Sequence, residues 1–324
     1  TVIALPPLPA DIPAQRFVTA PGETVLGFTD PSEVQRTLPL SYGEERVDVP
    51  PVVWRTGIRS TEPHLLAMGH PGSGTSTLLR SVALQALQYG DVLIVDGGGT
   101  GEYACLTGRT GVLAVECALP GALASLEWAA QETERRLIAI NLARQAGDPP
   151  PPDTRRPLWI LLDRPSVFAH LALADGRKDP QVLLQVPLRH GRAANVTVVV
   201  AEQFDSAETL TDAVRQHTRA RVVLGSAAPE QVEAVLGAAP HTTSIAHVPP
   251  GRGYARLGSG PVHRLQVPRT PDPYDDATSD ADRQAVLELL PPRTTAVEEE
   301  PTVLSKPTAE KTAVPADALA AEPS

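Results

Sequence analysis

The sequence predicts an α/β protein whose central, mostly parallel sheet is flanked by helices and carries a phosphate-binding loop at its strand ends. Three observations lead there. Short apolar runs alternate with amphipathic stretches from about His64 to Val267, a glycine-rich turn joins the first of these runs to a helix, and a later apolar run ends in an acid, Asp163. Runs that are apolar throughout suit parallel strands covered on both faces.

Residues 1–20 are proline-rich and read as extended chain, part of an N-terminal arm, 1–60, with short strands at Thr24–Phe28, Arg46–Val49 and Val52–Arg55. The periodic domain spans 61–270. Its strands are predicted at Leu65–Met68, Asp91–Val95, Val112–Val115, Leu158–Leu162, Val196–Ala201, Arg221–Leu224 and Gly253–Leu257. Between them, Ser76–Tyr89 offers Leu79, Val82, Ala86 and Leu87 to a core, and a long helix over Pro120–Ala146 offers Leu123, Leu126, Ala130 and Leu137. Asp148 to Asp153 encloses four prolines and reads as a stiff surface linker. The Asp205-x-x-Glu208 spacing predicts a capping box opening a helix to His217. Pro229 and Gly237 bracket another helix in the usual order. From 271 to 324 the chain reads as a largely disordered acidic, Pro/Ala-rich tail with one short helix at Asp280–Leu290, because it cannot bury enough apolar area to offset chain entropy. No internal repeat is visible.

Charge and cysteine content narrow the class. Between Asp272 and Glu322, 12 acids face 4 bases, so this stretch carries −8 of the total −10 and the remainder is nearly neutral. Only three lysines are present, Lys178, Lys306 and Lys311, and the folded part has no basic cluster that marks a nucleic-acid surface. Cys105 and Cys117 lie in neither a metal nor a redox spacing, which argues for a reducing compartment. No run reaches membrane-spanning length and no signal peptide is visible. Thr1 in place of Met fits a piece of a longer protein, with room for a membrane anchor upstream.

Gly69-His-Pro-Gly72-Ser73-Gly74-Thr75-Ser76-Thr77 fits G-x-x-x-x-G-K-[ST] everywhere except Thr75, where the lysine should stand. Such a loop holds phosphate by two separable means. Backbone amides and a helix N-terminus need only glycines and geometry, and these remain. The ammonium that reaches the β- and γ-phosphates is gone. Binding of ATP or ADP over Gly69, Gly72, Ser73, Gly74, Thr75, Ser76 and Thr77 is therefore expected, in weakened form.

Asp163 ends an apolar strand, the position from which phosphate-loop ATPases help hold Mg²⁺ together with the loop hydroxyl, here Ser76. The next position usually carries a glutamate that polarises water. Here Arg164 stands there, and a guanidinium cannot accept a proton. Losing a charged hydrogen bond to nucleotide costs about 1.5–3 kcal/mol, so binding is weakened and survives. Losing the base costs roughly 10²–10⁴-fold in rate, and losing the lysine adds a comparable factor. Hydrolysis near background is expected. Were Arg164 to pair with Asp163, magnesium would be shut out as well.

The order of several segments resembles FtsK/SpoIIIE-type translocase domains over roughly residues 60–260. They are His64-Leu-Leu with the loop, Asp96-Gly-Gly-Gly99, Glu132-Thr-Glu-Arg-Arg136, Gly191 to Gln203, and Val248-Pro-Pro-Gly-Arg-Gly253. The Gly191–Gln203 stretch is the most specific of these. The resemblance implies a RecA-like fold, a γ-phosphate-sensing glutamine at Gln203, and a homo- or hetero-oligomeric ring that moves a polymer. In that frame Asp163 and Gln203 are the catalytic candidates of a degenerate site. Gly27-Phe-Thr-Asp-Pro31 with Gln35 and Pro39 looks like the opening segment of EccC ATPase domains of type VII secretion, in the same superfamily, and Asp96–Gly99 suits that group better.

Arg189, Arg192, Arg219 and Arg221 lie where ring ATPases place trans-acting arginines, although each reads more simply as a solvated or ion-paired side chain. His70 and His190 flank motifs without a ligand partner. Three function classes follow. One is a pseudo-ATPase within a DNA translocation ring, with DNA implied by the resemblance alone. Another is an EccC-like component that binds a protein export signal. The third is a pure scaffold. All would sit in the cytoplasm, the first two at the inner face of a membrane-anchored complex.

Overall fold

A computed structural model describes residues 15–20, 23–27, 38–42, 45–49, 54, 56–58, 60–238, 250–267 and 270–294. The strand candidate Val52–Arg55 (Trp54 apart), the extended chain before Gln15 and the tail from 295 lie outside them. In the arm, β1 (Gln15–Ala20) pairs antiparallel with β2 (Glu23–Gly27), and β3 (Leu38–Tyr42) pairs antiparallel with β4 (Glu45–Val49). Of these, β1 and β3 were not expected. Pro39 sits inside β3, as edge strands tolerate.

Eight further strands form one sheet. They are β5 (Leu65–Gly69), β6 (Asp91–Asp96), β7 (Val112–Glu116), β8 (Leu158–Asp163), β9 (Val196–Gln203), β10 (Ala220–Leu224), β11 (Arg252–Leu257) and β12 (His263–Gln266). The order is β12-β11-β10-β5-β9-β8-β6-β7. From β10 to β7 every pairing is parallel, and β11 and β12 add an antiparallel edge. The apolar runs behave as predicted: β5 and β8 are buried along their whole length, and β9 up to its last residue.

Alternation along each strand sends residues to two separate cores. Leu65 and Ala67 face α1 (Thr75–Ala86), where Leu78, Leu79, Val82 and Ala83 close over them. Trp54 reaches the same side and meets Trp159 edge to face at 5.8 Å. Leu66 and Met68 face the other side, which is covered by α2 (Leu119–Ala146), α4 (Pro165–Ala174) and α5 (Gln185–Ala194). A short turn of helix, α3 (Pro152–Arg155), interrupts the proline linker. On α2, Glu132 accepts from Arg135 and Arg136, and these partners hold its carboxyl down at about 2. Arg136 reaches on to the Arg156 carbonyl at 2.8 Å. Among the described residues no helix is long and apolar enough to cross a membrane.

Two expectations need correction. The helix predicted from Asp205 to His217 is a 3₁₀ turn, Phe204–Thr209, followed by α6 (Asp212–His217), which Thr211 caps. Leu210 is the cause: it is buried, and the chain extends there to seat it. Gln181 staples the break, donating to the Thr209 carbonyl at 3.0 Å and accepting the Thr211 amide at 3.1 Å. After α7 (Pro229–Leu236), with Gly237 as its left-handed cap, comes the second correction. The chain past 271 is ordered through residue 294. The buried Arg80 guanidinium donates to the Thr270 carbonyl at 2.8 Å, Arg109 donates to that of Pro291, and the Thr110 amide to that of Pro292. Leu287, Leu289 and Leu290 of α8 (Asp280–Leu289) and its end join the α1-side core. Composition hid these arginine-to-carbonyl contacts, which tie a polar segment down without much apolar area.

His64 fixes how β5 enters the sheet. Its ring is buried, and Nδ1 accepts the Val198 amide of β9 at 3.0 Å. Burial, then the charge of nearby His217, pushes the imidazole down to about 3. Among the described residues Nε2 finds no partner of good geometry, and the Leu188 backbone only partly offsets the shift. The unfolded chain protonates this ring below about 6.5 while the folded chain refuses the proton. Folding free energy is therefore unaffected by His64 above 6.5 and falls as pH drops, by about 1.4 kcal/mol per unit towards 3. Urea unfolding at pH 7.5 and pH 5 checks this: the wild type should lose about 2 kcal/mol more than His64→Gln over that interval.

Candidate functional site

Strand register gathers the site. Gly69 of β5 pairs with Gln203 of β9, and Asp96 of β6 pairs with Asp163 of β8. Four C-terminal strand ends thus lie along one rim of the sheet, where parallel α/β folds bind ligands. β9, with Gln203, stands between the loop strand and the Asp163 strand.

The loop from Gly69 to Thr77 keeps an open shape. Its turn closes through the Ser73 amide on the His70 carbonyl at 3.0 Å, and Pro71 and Gly72 are exposed. Two glycines are required by contact. A Cβ at Gly69 would lie 2.1 Å from Ser73 Oγ and 3.1 Å from the Leu224 carbonyl. Gly74 adopts φ 98°, and a Cβ there would approach the Gly251 amide at 2.9 Å. Gly251 in turn donates to the Ser73 carbonyl at 2.7 Å, so the Pro250–Arg252 segment braces the loop from behind. The first helical bond of α1 runs from the Leu78 amide to the Gly74 carbonyl. The amides of Thr75, Ser76 and Thr77 precede it and are left over at the positive end of the helix, the arrangement that receives anions. Thr75 takes the first helical position and is half-buried, with no cationic group.

The two predicted metal-holding residues do meet. Ser76 Oγ donates to Asp163 Oδ2 at 2.6 Å. A third residue, missed in the sequence, joins them: the fully buried Tyr103 hydroxyl donates to the same oxygen at 2.6 Å. Asp163 Oδ1 is buried with no partner among the described residues. Burial raises the carboxyl to about 6; the Ser76 and Tyr103 bonds pull it down, while Asp96 and Glu102 push it up. Oδ2 spends its lone pairs on two hydroxyls and Oδ1 is hidden, so this geometry does not fit a magnesium ion or its water at Asp163. Nor is there, among the described residues, any group of three His, Cys, Asp or Glu that could hold a metal.

Arg164 does not turn onto Asp163. It takes a left-handed conformation, φ 50° and ψ 57°, ahead of Pro165 and α4. Its amide donates to the Ala201 carbonyl at 2.8 Å. Burial raises the carboxyls of both Asp96 and Glu202, and backbone amides, then the charge of Arg164, offset part of that rise. Asp96 is buried and accepts the Gly98 and Gly99 amides at 2.8 and 3.2 Å. Glu202, also missed, is buried beside Gln203 and accepts the amides of Ser166 and Gln203 at 3.0 and 2.8 Å. It thereby caps α4; an acid at the end of an apolar strand was its only trace in the sequence. Tyr103 left none. The Gln203 side chain is half-buried at the rim. His70 packs on Phe204, with ring centroids 4.9 Å apart. Arg189, Arg192 and Arg219 are exposed at the opposite ends of the strands, away from the loop, and Arg221 spends its guanidinium on the Thr218, Val235 and Arg215 carbonyls.

Gly72 and Gly74 test the loop geometry separately. Both have positive φ, but a Cβ at Gly72 meets nothing within 4 Å. Gly72→Ala should cost roughly 1–2 kcal/mol, from backbone strain alone. Gly74→Ala should cost at least about twice that, because the Gly251 backbone stands in the way; chemical denaturation of both variants measures the difference.

No protein-family model matches the chain, and no curated protein matches it. Solved structures do. The cytoplasmic domain of the type VII secretion ATPase EccC of Thermomonospora curvata superposes over 82% of this chain at a TM-score of 0.56 and 22% identity. ATPases 2 and 3 of EssC from Geobacillus thermodenitrificans superpose over 88% at 0.55 and 14%. The pCW3 conjugation coupling protein TcpA, solved with ATPgS, superposes over 80% at 0.51 and 18%. This chain spans 32% of the EccC structure, 51% of the EssC structure and 72% of the TcpA structure. The fold is the RecA-like fold that these ATPase structures share.

Proposed function

We propose that this chain is a degenerate FtsK/SpoIIIE-type ATPase module that binds ATP or ADP weakly at Gly69–Thr77 and turns it over little or not at all. One observation carries the reading: the loop holds its phosphate-receiving shape, with Gly74 left-handed and the α1 amides free, around a position where threonine replaces the lysine. The side chains that would act on a bound nucleotide have changed. Thr75 offers no charge to the phosphates. Arg164 offers no base. Gln203 at the rim remains as a group able to sense the end of the phosphate chain.

A module of this kind serves as a fixed or regulatory subunit, forming a homo- or hetero-oligomeric ring with paralogous ATPase domains. The EccC and EssC structures named above belong to secretion proteins. Their likeness supports an EccC-like component, handling protein and placed at the cytoplasmic face of a membrane-anchored complex. Movement of DNA is the second reading, supported by the TcpA likeness. The folded part, net acidic once Asp272–Arg293 is counted in it and without a lysine cluster, favours the first.

Calorimetric titration with ATP and ADP tests the site. Thr75→Lys should tighten ATP binding roughly 10- to 100-fold, the effect of regaining one charged hydrogen bond. The wild type should release phosphate at the buffer rate. Wild-type turnover that Gly74→Ala abolishes would refute the pseudo-ATPase reading, and a Thr75→Lys variant that is folded yet binds no tighter would refute the site.

A further inference from the structure

We propose that the Tyr103 hydroxyl occupies the place of a metal-bound water on Asp163, so that nucleotide binds without magnesium. This deepens, and rests on, the nucleotide reading given above. In a magnesium-bearing loop the carboxylate at Asp163 would accept hydrogen bonds from the loop hydroxyl and from a metal-bound water. Here the first donor is present as Ser76, and the second is the Tyr103 hydroxyl, both at 2.6 Å from the same Oδ2. A carboxylate oxygen offers about two lone-pair sites, and both are taken. The other oxygen is buried and faces no solvent. The hydroxyl of Tyr103 therefore stands where the water's proton would be.

Tyr103 is held firmly in that place. It is fully buried within the α1-side core, and the residue before it, Glu102, gives its carbonyl to Arg80 at 2.7 Å. Swinging the ring away would open a large apolar gap, so the hydroxyl is a built-in part of the site.

Thermal shift and calorimetry with ADP and ATP, each in EDTA and in excess magnesium chloride, decide the matter. Wild-type affinity should differ less than threefold between the two conditions. Tyr103→Phe removes one hydroxyl and keeps the ring; it should gain at least tenfold in affinity when magnesium is added, while circular dichroism and the melting temperature in EDTA stay close to wild type. Wild-type binding that needs magnesium overturns the proposal and leaves the nucleotide reading standing, and this holds even if the variant fails to fold. A folded Tyr103→Phe protein that remains indifferent to magnesium also overturns it. Wild type that binds neither nucleotide in either condition overturns both readings.

Discussion

The backbone contact between Gly74 and Gly251 is the constraint on which the site depends. Two chain segments far apart in sequence approach so closely that Gly74 has no room for a side chain. Through it the antiparallel edge of the sheet supports the phosphate loop: Gly251 bonds Ser73, Val267 bonds Gly251, and Arg252 receives Gly225 from the end of β10. The loop is thus pinned by main-chain hydrogen bonds that do not involve its own ligand-facing amides. Losing the lysine at Thr75 leaves that support untouched, because no side chain of the loop takes part in it. Shape and chemistry are separable here for a structural reason.

Much of this was legible in the chain. Continuous apolar runs gave the parallel strands because a strand buried on both faces needs no polar alternate residues. The spacing of Gly69, Gly74 and Ser76 gave the loop because backbone conformation there is set by glycine. Asp163 was legible too, as an acid closing such a run, and Ser76 does reach it. Local rules failed where long-range contacts decide. Leu210 breaks the helix expected after Asp205, since burying one leucine outweighs a capping box. α4 is apolar around most of its circumference and shows no amphipathic period, so it was invisible, and α5 contains Pro187 and Gly191, which read as breakers.

Tyr103 shows the limit most clearly. Nothing about a tyrosine after a glycine-rich stretch, at no fixed spacing from Asp163, suggests that the two touch. The contact arises because β6 and β8 pair with Asp96 opposite Asp163, and the turn leaving β6 then returns beneath α1. Residues that replace one another's chemistry need not occupy the same sequence position. A motif comparison registers what left the site, and only the folded chain registers what entered it.

Arg80 has a wider bearing than its place inside α1 suggests. One guanidinium holds the carbonyls of both Glu102 and Thr270, so the stretch carrying Tyr103 and the stretch leading to α8 hang from a single buried cation. A fragment trimmed at the apparent domain edge near residue 270 would strand that charge in the interior with half its acceptors removed. The tyrosine next door would then hang from a cation held by fewer partners. Trimming an innocuous-looking terminus would in this way alter the ligand preference of a loop at the far end of the helix.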